Sequence, residues 1–187
     1  MGAEGRNVRQ GMGEKSEVSK IELLMNQVSI TTDDRPVAAA AIKKAEETGA
    51  PAVAIQLDDG RIITGKTSSL LGSSSSMLLN ALKVLGNIPD DINLISPTII
   101  EPIQRMKTGF LGNHNPRLHT DEVLMALTIS AINDPVAKSA IEQLEKLQGS
   151  DAHFSVILSD EDEKNLRRLG INVSCEPMYE HKRLYHK

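Results

Sequence analysis

Apolar side chains in this chain recur at two spacings, and the switches between them mark out the elements. Val18, Ile21, Leu24, Met25 and Val28 fall three and four residues apart behind Ser16, which predicts a capped amphipathic helix. A turn at residues 31–35 leads to Pro36, and an alanine-rich helix follows over residues 37–48, ended by Gly49. The spacing then shortens. Residues 52–57 and 61–65 are apolar runs on either side of Asp58-Asp59-Gly60, the signal of a β-hairpin. A polar stretch of Gly, Ser and Thr occupies residues 65–76. Helical spacing returns with Met77, Leu78, Ala81, Leu82 and Leu85, predicting a helix over residues 74–85 that stops at Gly86.

Residues 93–95 read as a short buried strand. Ser96-Pro97 opens a helical stretch to Leu111 that Pro102 kinks or splits, and residues 109–119 form a loop. Thr120 caps the next helix, with Asp121 and Glu122 in its first turn, where the helix dipole favours them. That helix ends near Asn133, and Asp134-Pro135 starts another over residues 136–147. Residues 152–158 are an apolar strand. Ser159 caps a helix over residues 160–169, Gly170 ends it, and residues 171–175 are the last strand.

A hairpin followed by strand–helix–strand units predicts an α/β fold, a three-layer α/β/α sandwich. Its mixed sheet has about five strands: the hairpin plus parallel strands joined by right-handed crossovers, with one hairpin strand antiparallel to them. The layout is topologically similar to the deaminase-like fold. Residues 16–177 form the single domain, preceded by a flexible glycine-rich arm (1–15) and followed by a charged tail (178–187) with Tyr179 and Tyr185 as anchors.

Composition narrows the functional classes. Aromatic residues make up only 2% of the chain and its formal charge is −4, so it lacks both stacking platforms and a basic footprint; nucleic acid is not an expected partner. Cys175 is the only cysteine, which rules out an internal disulfide and a cysteine zinc cluster; it reads as a small buried side chain. No apolar run of spanning length and no signal peptide is present, so no membrane partner is expected and a reducing cytoplasm is the expected location.

Gly60 to Thr67 matches the phosphate-loop pattern G-x-x-x-x-G-K-[ST] letter for letter. The middle residues, Arg-Ile-Ile-Thr, belong to the second hairpin strand, and no helix begins at Lys66. The context therefore opposes a nucleotide hydrolase, which remains the least favoured reading. The serine-dense entry to the 74–85 helix suggests an anion cradle instead: free backbone N–H groups, hydroxyls around them and a lysine for charge. Lys66, Thr67, Ser68, Ser69, Ser73, Ser74 and Ser75 are its candidate residues, with Arg117 and His119 from the later loop. The equally simple reading is a capped helix behind a serine loop.

A zinc deaminase would need a His or Cys ligand and a Glu on this helix and paired cysteines on a later one; residues 73–80 contain none of them. His114, His119, Asp121 and Glu122 form the densest cluster of protic groups, yet their spacing fits no metal motif, and no metal or cofactor is assigned. His153, within a strand, reads as a satisfied core or edge histidine.

The runs GRNVRQGM, APAVAIQLDDGRIITGKTSSLLGSSSS, SPTIIEPIQ, NPRLHTDEVLMAL and LGINVSCEP resemble the C-terminal part of a bacterial family of uncharacterised proteins, catalogued as domain of unknown function eighteen-forty-six. The resemblance covers nearly all of residues 5–177. It implies the C-terminal domain of a larger bacterial protein whose relatives carry additional N-terminal α/β domains, and it brings no reaction with it. The expected role is binding of a phosphate- or carboxylate-bearing small molecule at the Ser/Gly-rich loop. The alternative is a structural module that forms a homo-oligomer or packs against N-terminal domains.

Overall fold

The structure, a computed structural model, describes residues 35–177; the amphipathic segment behind Ser16, the arm and the tail lie outside them. Helix α1, Pro36–Thr48, begins with proline in its first turn and ends at Gly49, whose φ of 64° is left-handed and whose N–H reaches the Ala45 carbonyl. Strands β1, Ala52–Gln56, and β2, Ile62–Lys66, form the expected hairpin. Gly60 has φ of 88°, the conformation that the tight turn requires. Helix α2, Ser73–Leu85, follows.

Helix α3, Pro97–Arg105, is capped by the Ser96 hydroxyl and contains Pro102. It runs into a wider π-turn, Met106–Phe110, where the Leu111 N–H reaches back five residues to the Met106 carbonyl. Helix α4 is Thr120–Ser130, and α5, Pro135–Ile141, leads to a 3-10 turn at Leu144–Leu147. Strand β3, Asp151–Phe154, helix α6, Asp160–Arg168, and strand β4, Asn172–Cys175, complete the described chain.

The sheet order is β2-β1-β3-β4. β1 is antiparallel to both neighbours, with Ala54 opposite Thr64 on one side and His153 on the other; β3 and β4 are parallel. The single antiparallel hairpin strand is as predicted. Alternation along β1 divides the core. Ala54 turns toward Val37 and Ala41 of α1, while Val53 and Ile55 join the larger cluster with Met77, Leu78, Ala81 and Leu82 of α2. Helices thus cover both faces, giving the α/β/α layering. Small residues at Ala38, Ala41 and Ala45 allow α1 to sit close to the sheet.

Four strands pair among the described residues, one fewer than the expected five. Leu94 and Ile95 are buried at 2% and 3% exposure but pair with no strand. They fill the core as a loop, because Ser96 immediately commits the chain to the α3 cap. The expected strand over residues 152–158 pairs only as far as Phe154. Cys175, expected to be buried, is exposed at the end of β4. His153 is 1% exposed and satisfied, with Nδ1 2.8 Å from Ser174 Oγ and Nε2 3.0 Å from Glu176 Oε1.

Candidate functional site

The hairpin, α2 and the loop before α4 meet beside the end of β2. There the strand and helix touch backbone to backbone: a Cβ on Gly65 would lie 2.6 Å from Met77 Cα. Asn80 adds a side-chain tie, its Nδ2 donating to the Thr64 carbonyl at 2.9 Å. The letters of the phosphate-loop match therefore fall on an extended strand, and the next helix begins seven residues beyond Lys66, at Ser73. Gly65 serves close packing between layers.

Lys66 is exposed and borders a hollow of about 290 Å³, whose polar lining includes Ser68, Ser76, Asn80, Lys83 and Asn93. Leu70, Leu71, Leu79, Leu94, Ile95 and Ile100 supply its apolar wall. Lys83 is 9% exposed and its Nζ donates to the Asp90 carbonyl at 2.9 Å, which fixes that charge against the wall. Lys66, Asn80 and Lys83 also border a second hollow of about 430 Å³ on the Lys44 side.

The loop between β2 and α2 is stitched internally. The Ser68 hydroxyl accepts from the Leu70 and Leu71 amides at 3.3 and 3.1 Å. Arg117 Nε donates to the Ser68 carbonyl at 2.5 Å, and Gln104 Nε2 donates to the Ser69 carbonyl at 3.0 Å. Leu71 bridges to Leu118 in parallel, and the Leu118 carbonyl accepts from the Gly72 amide at 3.2 Å and the Ser75 hydroxyl at 2.9 Å. The Thr67 amide donates to the Pro51 carbonyl at 2.9 Å. Ser73 is the first residue of α2, and its N-cap, Gly72, offers no side chain.

Ser74 turns the other way, into a buried cluster that joins three helix starts. Its hydroxyl donates to Asp162 Oδ2 at 3.3 Å. Asp162 also accepts from the Thr120 amide at 3.1 Å and the Thr120 hydroxyl at 2.7 Å, and His119 Nδ1 lies 3.4 Å from Oδ2. Burial pushes the Asp162 carboxyl up, but the hydrogen bonds from His119 and Thr120 overcome it and hold the pKa at about 2. The bond to Asp162 raises the His119 pKa against the opposing effect of burial.

The expected cap position is corrected here. His119 is the N-cap of α4 and Thr120 its first helical residue, so the threonine hydroxyl is free for Asp162. Glu122 completes the cap by accepting from the His119 amide at 2.9 Å. Lys107, 4% exposed, donates to Glu122 Oε1 at 2.7 Å and to the Arg117 carbonyl at 2.6 Å. These bonds anchor the loop that carries Arg117 and His119.

The candidate residues thus divide. Lys66 and Ser68 line the hollow, joined by Ser76 from the same serine run and by Lys83, which sequence reasoning missed. Ser74 and His119 converge on Asp162, while Ser75 and Arg117 hold loop carbonyls. Asp162 was also missed; it stands in an acidic run, Asp160 to Glu163, that reads as helix-start charge. Among the described residues no group of three or more His, Cys, Asp or Glu is placed to hold a metal ion. No helix there is long and apolar enough to cross a membrane.

Comparison with known proteins gives a family. A family model described as domain of unknown function DUF1846, C-terminal, matches residues 33–185. A UPF0371 protein of Streptococcus pyogenes serotype M5 (strain Manfredo) is 49% identical over 173 residues, 92% of this chain and 35% of the relative. A UPF0371 protein of Streptococcus pneumoniae (strain Hungary19A-6) is 50% identical over 173 residues, with the same shares covered. The chain spans about a third of the length of the curated relatives it matches.

Proposed function

The chain belongs to the DUF1846 C-terminal domain family, and we propose that it serves there as a binding domain for a phosphate- or carboxylate-bearing small molecule. The observation that carries this reading is the hollow bordered by Lys66, with the wall-fixed ammonium of Lys83 and the polar groups of Ser68, Ser76 and Asn80 in its lining. Two ammonium groups beside hydroxyls and an amide suit an anionic group, and the leucine and isoleucine wall suits a small carbon skeleton. Lys66 meets the anion; Ser76 donates to it from α2. Ser74, Ser75, Arg117 and His119 hold the loop and helix start in place behind it.

We place the protein in the cytoplasm. A reducing compartment suits a chain whose single cysteine, Cys175, is an exposed thiol with no internal partner to oxidise with.

Isothermal titration against a panel of phosphorylated and carboxylated metabolites tests the reading. Lys66→Ala and Ser76→Ala are each expected to weaken binding by roughly tenfold or more, the loss of one charge-assisted or direct hydrogen bond to the anion. Binding to no member of the panel, or binding that ignores both substitutions, overturns it.

A further inference from the structure

We propose that the outward face of α4, together with the π-turn after α3, is an interface that receives the part of the family polypeptide lying ahead of this domain in the longer relatives. Residues 123–133 contain no charged side chain, although this stretch lies on the surface of the described fold. Met125 and Ile129 are 58% and 64% exposed and follow Glu122 at three and seven residues, so they form one stripe, and Ile132, 76% exposed, lies in the turn just past the helix end. The inner face of the same helix, Val123, Ala126 and Leu127, is buried in the core. A helix that is apolar on both faces is one that expects to be covered on both.

The π-turn is tied to the head of the stripe by an ion pair. Lys107, from that turn, is paired with Glu122 there. Its neighbours Met106, Phe110 and Leu111 are 50%, 82% and 68% exposed. Six large apolar side chains, each at least half exposed, amount to on the order of several hundred Å², the size of patch that often marks an interaction site.

The length of the relatives identifies the occupant. Their matched segment is 35% of each chain, and the matched family model is the C-terminal one, so most of the family polypeptide lies ahead of this fold. A tethered neighbour meets such a face at high effective concentration, which a free partner or a second copy lacks. The seat on that neighbour is apolar and uncharged, because an unpaired charge against residues 123–133 would be left without a partner.

Side-chain labelling by hydroxyl radicals, read by mass spectrometry, tests this on three proteins. They are this chain, a graft in which it replaces the matching 173 residues of the Streptococcus pyogenes relative, and that relative itself in full length. This chain alone should label freely at Met106, Phe110 and Met125 and run as a monomer. In the graft the same residues should label roughly tenfold less, because the core of an interface excludes water. The unaltered relative, read at the peptide aligned with residues 123–133, gives the same answer should the graft not fold. Equal labelling in the long proteins overturns the proposal. Protection in this chain alone also overturns it, and shows that a second copy or its own first residues cover the face.

Discussion

Thr120 gives Asp162 two hydrogen bonds, from its amide at 3.1 Å and its hydroxyl at 2.7 Å, and so fastens the first turn of α4 to the first turn of α6. Ser74 brings α2 to the same carboxylate. One side chain therefore closes three helix starts, and its removal leaves buried donors with nothing to bond. Asp162→Ala is expected to lower stability by roughly 2–3 kcal/mol, the cost of stranded buried polar groups. Urea unfolding reads this as a lower midpoint at unchanged slope. A loss within the scatter of surface substitutions would mean that the cluster adds nothing to the fold.

The same cluster sets a pH window. The Asp162 pKa falls from 3.8 to about 2 on folding, so its contribution is present above about pH 4 and is lost as pH drops through the folded value. That shift corresponds to on the order of 2 kcal/mol. The His119 pKa is raised above 6.5 by Asp162, with a lesser rise from Glu122 and an opposing push from Lys107. Its contribution is therefore full below pH 6.5 and fades as pH rises through the folded value. The stability advantage of the native chain over Asp162→Asn should be largest between roughly pH 4 and 6.5 and shrink on either side. His119→Gln should flatten the alkaline limb and reduce the acid limb to the part that the Thr120 hydrogen bonds sustain. Denaturation midpoints measured across pH 3–9 show whether the two limbs separate in this way.

Elements carried by local chemistry were legible from the residues alone. Asp58-Asp59-Gly60 announces the hairpin, and Ser96, Asp134 and Ser159 cap their helices through hydroxyl or carboxylate oxygens as their residue types suggest. What stayed hidden depends on tertiary position. Asp162 lies beside three other acids, and nothing along the chain says which of the four turns inward. Lys107 carries no local signal of burial, yet the π-turn after Pro102 places it inside. The Leu94-Ile95 pair is buried by packing without a ladder, which periodicity cannot distinguish from a strand. His119 is outside the usual set of cap residues, so Thr120 takes its place in any local reading.

Gly65 marks a close backbone approach between β2 and α2. A methyl group there would overlap the Met77 backbone, and neither partner can swing aside as a side-chain tip could. Gly65→Ala is expected to cost roughly 1–3 kcal/mol or more, the range for forcing extra volume into a packed core. Lys66→Ala, one residue along and exposed, should change stability by less than about 0.5 kcal/mol. Thermal unfolding of the two variants distinguishes a packing glycine from a nucleotide-loop glycine: in a nucleotide loop, both substitutions would act on ligand binding and spare the fold.

Lys107 and Lys43 provide a matched contrast in what an ion pair is worth. Lys43 and Glu47 stand 3.8 Å apart with side chains 77% and 55% exposed, where water and salt screen most of the attraction. Lys43→Met should therefore cost less than about 1 kcal/mol. Lys107 is 4% exposed and serves two acceptors, the Arg117 carbonyl and a carboxylate that also caps α4 through the His119 amide. Lys107→Met keeps the buried stem and removes only the ammonium, yet it takes one donor from the Arg117 carbonyl and leaves the partly buried Glu122 carboxylate with the His119 amide alone. The expected loss is roughly 1–3 kcal/mol, the cost of taking a donor from a buried carbonyl and a partly buried carboxylate. Adding Glu122→Gln should recover part of it, because the neutral amide no longer carries an uncompensated charge while its oxygen can still accept from the His119 amide. A double-mutant cycle by urea unfolding measures this coupling. Additive costs for Lys107→Met and Glu122→Gln would show that the buried pair contributes no more than the solvent-facing one.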